Sequence, residues 1–255
     1  MTVTCTIDGA VAEVRMDRAD KLNALGEAMV ADFHAALDQV GAARAVLVTA
    51  AGRAFSAGRD LSDAEPLTED AEAILRDTFN PLLLRIADLD IPTIAAVQGA
   101  CLGVGFGIAF ACDLVIAADD ARIGSPFARI GAVLDSGAHR YLVERIGPHR
   151  ALELIYTGRL LSGAEAAAIG LVNRSVPAAD LDAEARALAT SIAAGPTAAF
   201  VESKRIVRAM AAGPAALVEV LAAEGAAQGR IARSADYAEG ITAFQAKRAP
   251  TFTGR

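Results

Sequence analysis

Two glycine-punctuated segments carry the residues best suited to chemistry. Phe55-Ser-Ala-Gly-Arg-Asp60 follows one short apolar run, and Gly103-Val-Gly-Phe-Gly107 follows another. The second invites a dinucleotide-binding reading, but its pattern is GxGxG, and only six residues separate Gly107 from the next apolar run at Leu114. A nucleotide-binding crossover needs a helix of about three turns and an acid roughly 20 residues beyond the glycines. Asp119 and Asp120 stand too close, so NAD binding is rejected. Glycines ahead of a helix suit another use: they let a carbonyl oxygen approach unpaired backbone N–H groups, where the helix dipole adds positive potential. One N–H from each loop, aimed at the same oxygen, makes an oxyanion hole that stabilises an enolate. Two tight turns account for the same glycines.

Downstream, Asp135, in Phe127-Ala-Arg-Ile-Gly-Ala-Val-Leu-Asp-Ser-Gly137, reads on residue type as the N-cap of a helix over Ser136 to Ile146. His139 lies four residues on, close enough for an Asp–His contact on one helix face, and reads as a packing or loop-facing histidine. His149, after Gly147-Pro148, reads as exposed at a helix start, and His34 as part of a solvated face. Ser136 lacks the G-x-S-x-G elbow of serine hydrolases. The acids of 62–80 (Asp63, Glu65, Glu69, Asp70, Glu72, Asp77) form a patch that reads as solvated charge. Those of 65–77, Glu72 foremost, reach the site only if this region folds over it.

The elements that must position these residues follow from periodicity. Val3–Ile7 and Ala10–Met16 flank Asp8-Gly9 as a hairpin, since glycine accepts the positive φ of a tight turn. Asn23 to Val40 has helical spacing of Leu25, Met29, Phe33, Ala36, Leu37 and Val40, ended by Gly41. Ala45–Thr49, Thr93–Val97 and Leu114–Ala118 read as buried strands, Leu82–Leu89 and Ile108–Cys112 as helices. After Leu171-Val172 the texture changes: 179–194, 196–211, 214–232 and 234–248 are Ala-rich and helical, punctuated by Pro177, Pro196 and Pro214. The expected class is α/β, with a core over 1–178 and a helical region over 179–255.

Composition removes whole classes. Hydrophobic residues make up 54% of 255 and charged residues 22%, too apolar for a disordered chain. With 24 basic against 31 acidic residues the net charge is -7, which argues against binding nucleic acid through phosphate neutralisation. Mean hydropathy is +0.37, yet charges or proline interrupt every apolar run before the ~20 residues of a membrane span. No signal peptide is read at the start. Cys5, Cys101 and Cys112 lack metal-ligand spacing and read as buried thiols in a reducing, cytoplasmic setting, with no metal expected. Exposed apolar helix faces after residue 179 imply self-association.

The order of motifs along the chain resembles the crotonase (enoyl-CoA hydratase/isomerase) superfamily. The resemblance rests on Arg18-Ala-Asp-Lys-Leu-Asn-Ala-Leu25, Phe55-Ser-Ala-Gly-Arg-Asp-Leu61, Ile91 to Asp113, Thr157 to Ala166 with Gly170-Leu-Val-Asn173, and Phe244 to Phe252. It implies a spiral of ββα units, a C-terminal helical trimerisation region giving a homotrimer or dimer of trimers, and an acyl-CoA thioester as substrate with no other cofactor. By motif position the oxyanion donors are the backbone N–H groups of Arg59 and Val104. Val104 stands where the family usually has glycine; a backbone donor survives that change, while the β-branched side chain narrows the pocket. Lys21, Leu22, Ala57, Asp60 and Leu61 fall where relatives contact CoA, and Phe244 and Lys247 where a neighbouring subunit completes that site.

Adding water across an enoyl thioester benefits from two carboxylates, one activating water and one protonating carbon. The resemblance places these at Gly107 and Phe127, and neither can move a proton. Several branches carry an acid at the position of Asp135, among them phenylacetyl-CoA-type isomerases, which the string Phe-Ala-Arg-Ile-Gly-x-x-x-Asp-Ser-Gly resembles most. Leu134 and Ala138 depart from that branch's usual proline and glycine. A dehalogenase branch also uses an aspartate there, but its aromatic cage includes a tryptophan and this chain has none. The expectation is an enoyl-CoA isomerase with Asp135 as acid/base and Phe127 lining the pocket. The alternatives are an atypical hydratase using Asp135 with Glu72, and a non-catalytic acyl-CoA binder.

Overall fold

The computed structural model describes residues 1–255 except 63, 64, 66, 67 and 214, so Asp63 of the acidic patch and the expected break at Pro214 lie outside the described residues. Strands β1 (Val3–Asp8) and β2 (Val11–Met16) form the expected antiparallel hairpin, with Asp8 opposite Val11 and Gly9 at φ 57°. From β2 the sheet continues in parallel through β3 (Ala45–Ala50), β4 (Thr93–Val97), β6 (Leu114–Ala118) and β9 (Arg174–Val176), giving the order β1-β2-β3-β4-β6-β9. All residues of β3 and β4 are buried, as parallel strands covered on both faces require. A second sheet, β5 (Ala100–Leu102), β7 (Arg122–Gly124) and β8 (Leu161–Ser162), rises from the loops between those strands.

Helix α1 (Glu27–Asp38) starts four residues later than the apolar spacing predicts. A 3-10 turn at Ala19–Lys21 precedes it, and Leu22 and Asn23 both take φ 52°, which ends any helix there. Asn23 is fully buried and explains the detour: its side-chain N–H groups donate to Ala51 O and Ala54 O, and its Oδ1 accepts from Arg18 N. The short α2 (Ala71–Ile74) widens into a π turn before α3 (Asn80–Ala87). Helix α4 (Val104–Ala111) begins four residues before the expected Ile108, and every one of its residues is buried. Helix α5 spans Ala138–Thr157, broken at Gly147, followed by α6 (Gly163–Ala168) under a Ser162 capping box.

The helical region comprises α7 (Leu181–Ala193), α8 (Thr197–Ala212), α9 (Leu217–Ile231) and α10 (Ala235–Gln245). Helix α7 lies on the large sheet against β2, β3, β4 and β6, burying Leu181, Ala185, Ala189 and Ala193. The helices beyond it are far more exposed: Leu217, Val218 and Phe244 stand at 72%, 72% and 82%. No helix among the described residues is long and apolar enough to cross a membrane.

Phe33, Phe55, Phe106 and Phe110 are fully buried in one continuous core, each contributing about 1.5–3 kcal/mol through removal of apolar surface from water. A polar tie joins α8 to the sheet. Lys204 Nζ meets Asp113 Oδ2 at 2.6 Å and donates to Ile91 O at 2.8 Å, while Thr93 N donates to the same Asp113 oxygen at 2.8 Å. Removing the ammonium leaves Asp113 with Arg208 at 3.5 Å as its remaining cation. Lys204→Met is expected to lower stability by about 2 kcal/mol, less than for a fully buried pair because Asp113 keeps some solvent access. The check is a reduced urea midpoint at unchanged m value.

Candidate active site

The two glycine loops are stitched together by their own backbones. Ser56 N donates to Ala100 O and Leu102 N to Ser56 O, while Leu25 N donates to Gly58 O and Asp60 N to Leu25 O. Successive peptide groups of an extended segment point to opposite sides. Gly58 O and Asp60 N both turn toward Leu25, so the Arg59 N–H, opposite Gly58 O in its trans peptide, faces the other way with no acceptor among the described residues. Val104 is the first residue of α4, where an N–H has no intrahelical partner and the helix dipole is positive. Its N–H likewise has no acceptor among the described residues. Gly103 makes that corner at φ 52°, ψ -122°. A Cβ on Gly58 would lie 3.1 Å from Leu102 O and 3.8 Å from the Gly103 Cα, so the loops touch. Two free amides at one loop junction suit the stabilisation of negative charge on an oxygen.

One turn along α4, on the face that Gly103 and Val104 begin, the helix meets the segment holding Asp135. A Cβ on Gly107 would fall 2.7 Å from both Ser136 Cβ and Ser136 O, so this position is filled by a neighbouring main chain. Phe127 also packs at the corner: its ring comes within 3.5 Å of where a Gly103 side chain would start. Asp135 does not cap α5. The helix begins at Ala138 with Gly137 as its N-cap and no side-chain cap bond, because Ser136 and Gly137 both take positive φ (55° and 76°) and turn the chain first. The half-buried Asp135 carboxylate accepts from Ser136 Oγ at 2.8 Å. Burial pushes its pKa up, and the Ser136 hydrogen bond and the Arg59 charge offset part of that rise. An acid in this state is a stronger base than an exposed carboxylate. His139 and His149 are exposed, and His34 is half-buried beside Arg85 rather than solvated.

The other sequence-derived positions divide into two groups. Ala57 N donates to Leu22 O, so Ala57 and Leu22 adjoin, with Lys21 exposed at the end of the 3-10 turn. Leu61 is 59% exposed on the same loop. Asp60 is bound by Ser62 N and Oγ and by Arg18 at 2.5 Å, which hold its carboxyl well below the usual range. It is a fixed anion, unfit for proton transfer at neutral pH. Phe244 and Lys247 stand apart on α10 and just after it, both exposed. The polar ties near them run to the chain's own C-terminal segment, as Arg248 to Glu239 and Thr251 N to Glu239.

A cavity of about 530 Å³ opens on the Arg59 side of the loops, with Leu25, Met29, Ile74 and Phe79 as its apolar wall and Arg59 and Asp60 among its polar groups. Glu69 also lines it, paired with the Arg59 guanidinium at 2.7 and 2.8 Å. Glu72, the acid of that segment expected nearest the site, is 88% exposed and points to Arg76 instead. Sequence reasoning treated Glu69 as one of a solvated group; nothing in its spacing distinguishes it, because the pairing is made across the intervening loop.

Comparison with known proteins identifies the family and the fold. Over its full length the chain is 39% identical to a probable enoyl-CoA hydratase of Rhodobacter capsulatus, covering 98% of it. It is 34% identical to the 1,2-epoxyphenylacetyl-CoA isomerase of Escherichia coli over 98% of this chain and 97% of that one. The crystal structure of an enoyl-CoA hydratase from Bacillus anthracis superposes with a TM-score of 0.92 at 29% identity, covering all of both chains. The fold is therefore that of the crotonases. The family model for enoyl-CoA hydratase/isomerase matches residues 6–255, and the chain belongs to that family.

Proposed function

We propose that this protein is an enoyl-CoA isomerase that moves a proton through a thioester dienolate, with Asp135 as the acid/base. The observation that carries this reading is the filling of both hydratase carboxylate positions. The space beside Gly107 holds the Ser136 main chain and Phe127 presents a ring, while Asp135 is a half-buried acid immediately before Ser136. In this reading the thioester carbonyl accepts from the Arg59 and Val104 amides. The Asp135 carboxylate takes a proton from the carbon next to the carbonyl, and the electron pair delocalises onto the carbonyl oxygen. The same carboxyl returns that proton to the far end of the conjugated system, restoring the carboxylate. Starting from the conjugated isomer, the proton leaves the γ-carbon and the sequence runs in reverse. One acid suffices because no water is activated.

Lys21, Leu22, Ala57, Asp60 and Leu61 bind the CoA portion, and Phe127 closes the acyl side. The exposed apolar side chains of α9 and α10 support assembly as a homotrimer, alone or as a dimer of trimers, in which Phe244 and Lys247 complete a neighbour's CoA site. The hydratase name of the Rhodobacter capsulatus relative favours a second reading, hydration by acids outside the two usual positions. The exposure of Glu72 weighs against it, since that acid was to be the partner of Asp135.

Four outcomes test the proposal. Asp135→Asn is expected to lower kcat for β,γ- to α,β-enoyl-CoA isomerisation by about 10²–10⁴-fold, the range for loss of a positioned acid/base. Hydrogen–deuterium exchange at the substrate α-carbon should fall with it; full retention of either sinks the assignment. Hydration of crotonyl-CoA, followed by loss of enoyl absorbance, is expected to be at least about 10²-fold slower than isomerisation. The pH profile of kcat should rise along an acid limb displaced upward from that of an exposed aspartate, since the base must be ionised and burial favours its protonated form.

A further inference from the structure

Ser136 is an unexpected residue for its backbone. It is 4% exposed and takes φ 55°, a left-handed conformation that glycine occupies freely and an L side chain resists. Gly137, one step on, takes φ 76° with the residue that such a conformation favours. A non-glycine residue persists there where its surroundings fix it, and such strain gathers at functional sites. Two contacts account for a side chain at this position. The Ser136 Cβ packs beside α4, 2.7 Å from where a Gly107 side chain would start. A methyl group would fill that space equally well. The hydroxyl does what alanine cannot: it donates to Asp135 Oδ1 at 2.8 Å.

This hydrogen bond makes the two carboxylate oxygens unequal. Oδ1 is held, while Oδ2 meets no donor among the described residues. Oδ2 is also open to approach, because the one buried side-chain oxygen without a partner among the described residues belongs to Glu69. The bond to Oδ1 survives protonation, since a carboxyl carrying its proton on Oδ2 keeps Oδ1 as an acceptor. Charged groups on the neighbouring elements are engaged elsewhere or exposed. Helix α4 has no titratable side chain, Arg129 and His139 are exposed, Arg140 pairs with Glu144, and the Arg59 guanidinium donates to Glu69. We propose that Ser136 is a positioning residue for the proton transfer, its hydroxyl anchoring Asp135 Oδ1 so that Oδ2 is the oxygen that carries the proton. Oδ2 bonds the proton as the substrate C–H bond breaks and its electron pair passes toward the thioester carbonyl. The O–H bond then breaks as the proton returns to carbon, which restores the carboxylate. The inference rests on Asp135 being the proton carrier.

Two variants separate the hydroxyl from the backbone. Ser136→Ala keeps the Cβ beside Gly107 and the left-handed conformation, whereas Ser136→Gly relieves the backbone as well. Neither has a donor for Oδ1. Both are expected to lower plateau kcat for enoyl-CoA isomerisation by at least about tenfold, with KM changed less than about twofold, because a loosely held carboxyl is misplaced for transfer. Both should also move the acid limb of kcat to higher pH. A hydrogen bond to the ionised form favours that form, so its loss raises the pKa of a base that must be ionised to act. The ¹³C titration of the Asp135 carboxyl, the signal lost in Asp135→Asn, should shift upward with it. A role in packing alone predicts native kcat in Ser136→Ala. That result, or a lowered kcat with an unmoved acid limb, overturns the proposal. Should Ser136→Ala not fold, Ser136→Gly decides alone: lowered kcat with an upward limb supports the proposal, and the lack of either overturns it. Loss of α-carbon exchange in Asp135→Asn beside native kcat in Ser136→Ala defeats this inference only, whereas retained exchange in Asp135→Asn defeats the proton-carrier reading with it.

Discussion

Close approach of three backbone segments, at points where a side chain would not fit, is the constraint from which the site follows. The loop over 55–60, the corner at Gly103 and the turn at Asp135–Gly137 converge on α4, and glycine lies at each contact. Gly105 shows the same pressure, since a Cβ there would come within 2.5 Å of Ser56. These contacts fix two amides and one carboxyl relative to one another through main-chain packing. Such positioning is stiffer than anything side-chain rotamers supply, because packed interiors yield little. The hydrogen bonds joining Ser56 to Ala100 and Leu102 lock the same arrangement laterally.

Electrostatics divide the acids around this frame into two kinds. Asp60 is saturated by hydrogen bonds from Ser62 and a pair with Arg18, and acts as a permanent anion that shapes its loop. Asp135 has one hydrogen bond from Ser136, partial burial and a cation already shared with Glu69. The difference is one of solvation and partners, as the two residues have the same side chain. A site that needs one acid to hold charge and another to exchange a proton can be made from two aspartates in this way.

Much of the frame was legible in the sequence, for reasons that can be named. The Asp8-Gly9 hairpin, the parallel strands β3, β4 and β6 and the first three tail helices have strong local patterns, and local patterns predict local structure. The strands β5, β7, β8 and β9 are two or three residues long and owe their existence to tertiary pairing, so no periodicity announces them. The α1 start was placed too early because Leu25 keeps helical spacing while Asn23 takes a left-handed conformation to reach Ala51 and Ala54. Asp135 was recognisable as a candidate, but only the positive φ of Ser136 separates it from the helix it could have capped. The Glu69–Arg59 pair was hidden for a deeper reason: ten positions of chain separate partners that meet only through the fold.

The contact between Gly107 and Ser136 also limits what residue 107 can become. No side chain can be introduced there while the chain beside it follows its present path, since the loop leading into α5 would have to be rerouted at the same time. What this position can carry is therefore decided by the course of a distant stretch of main chain as much as by its own codon.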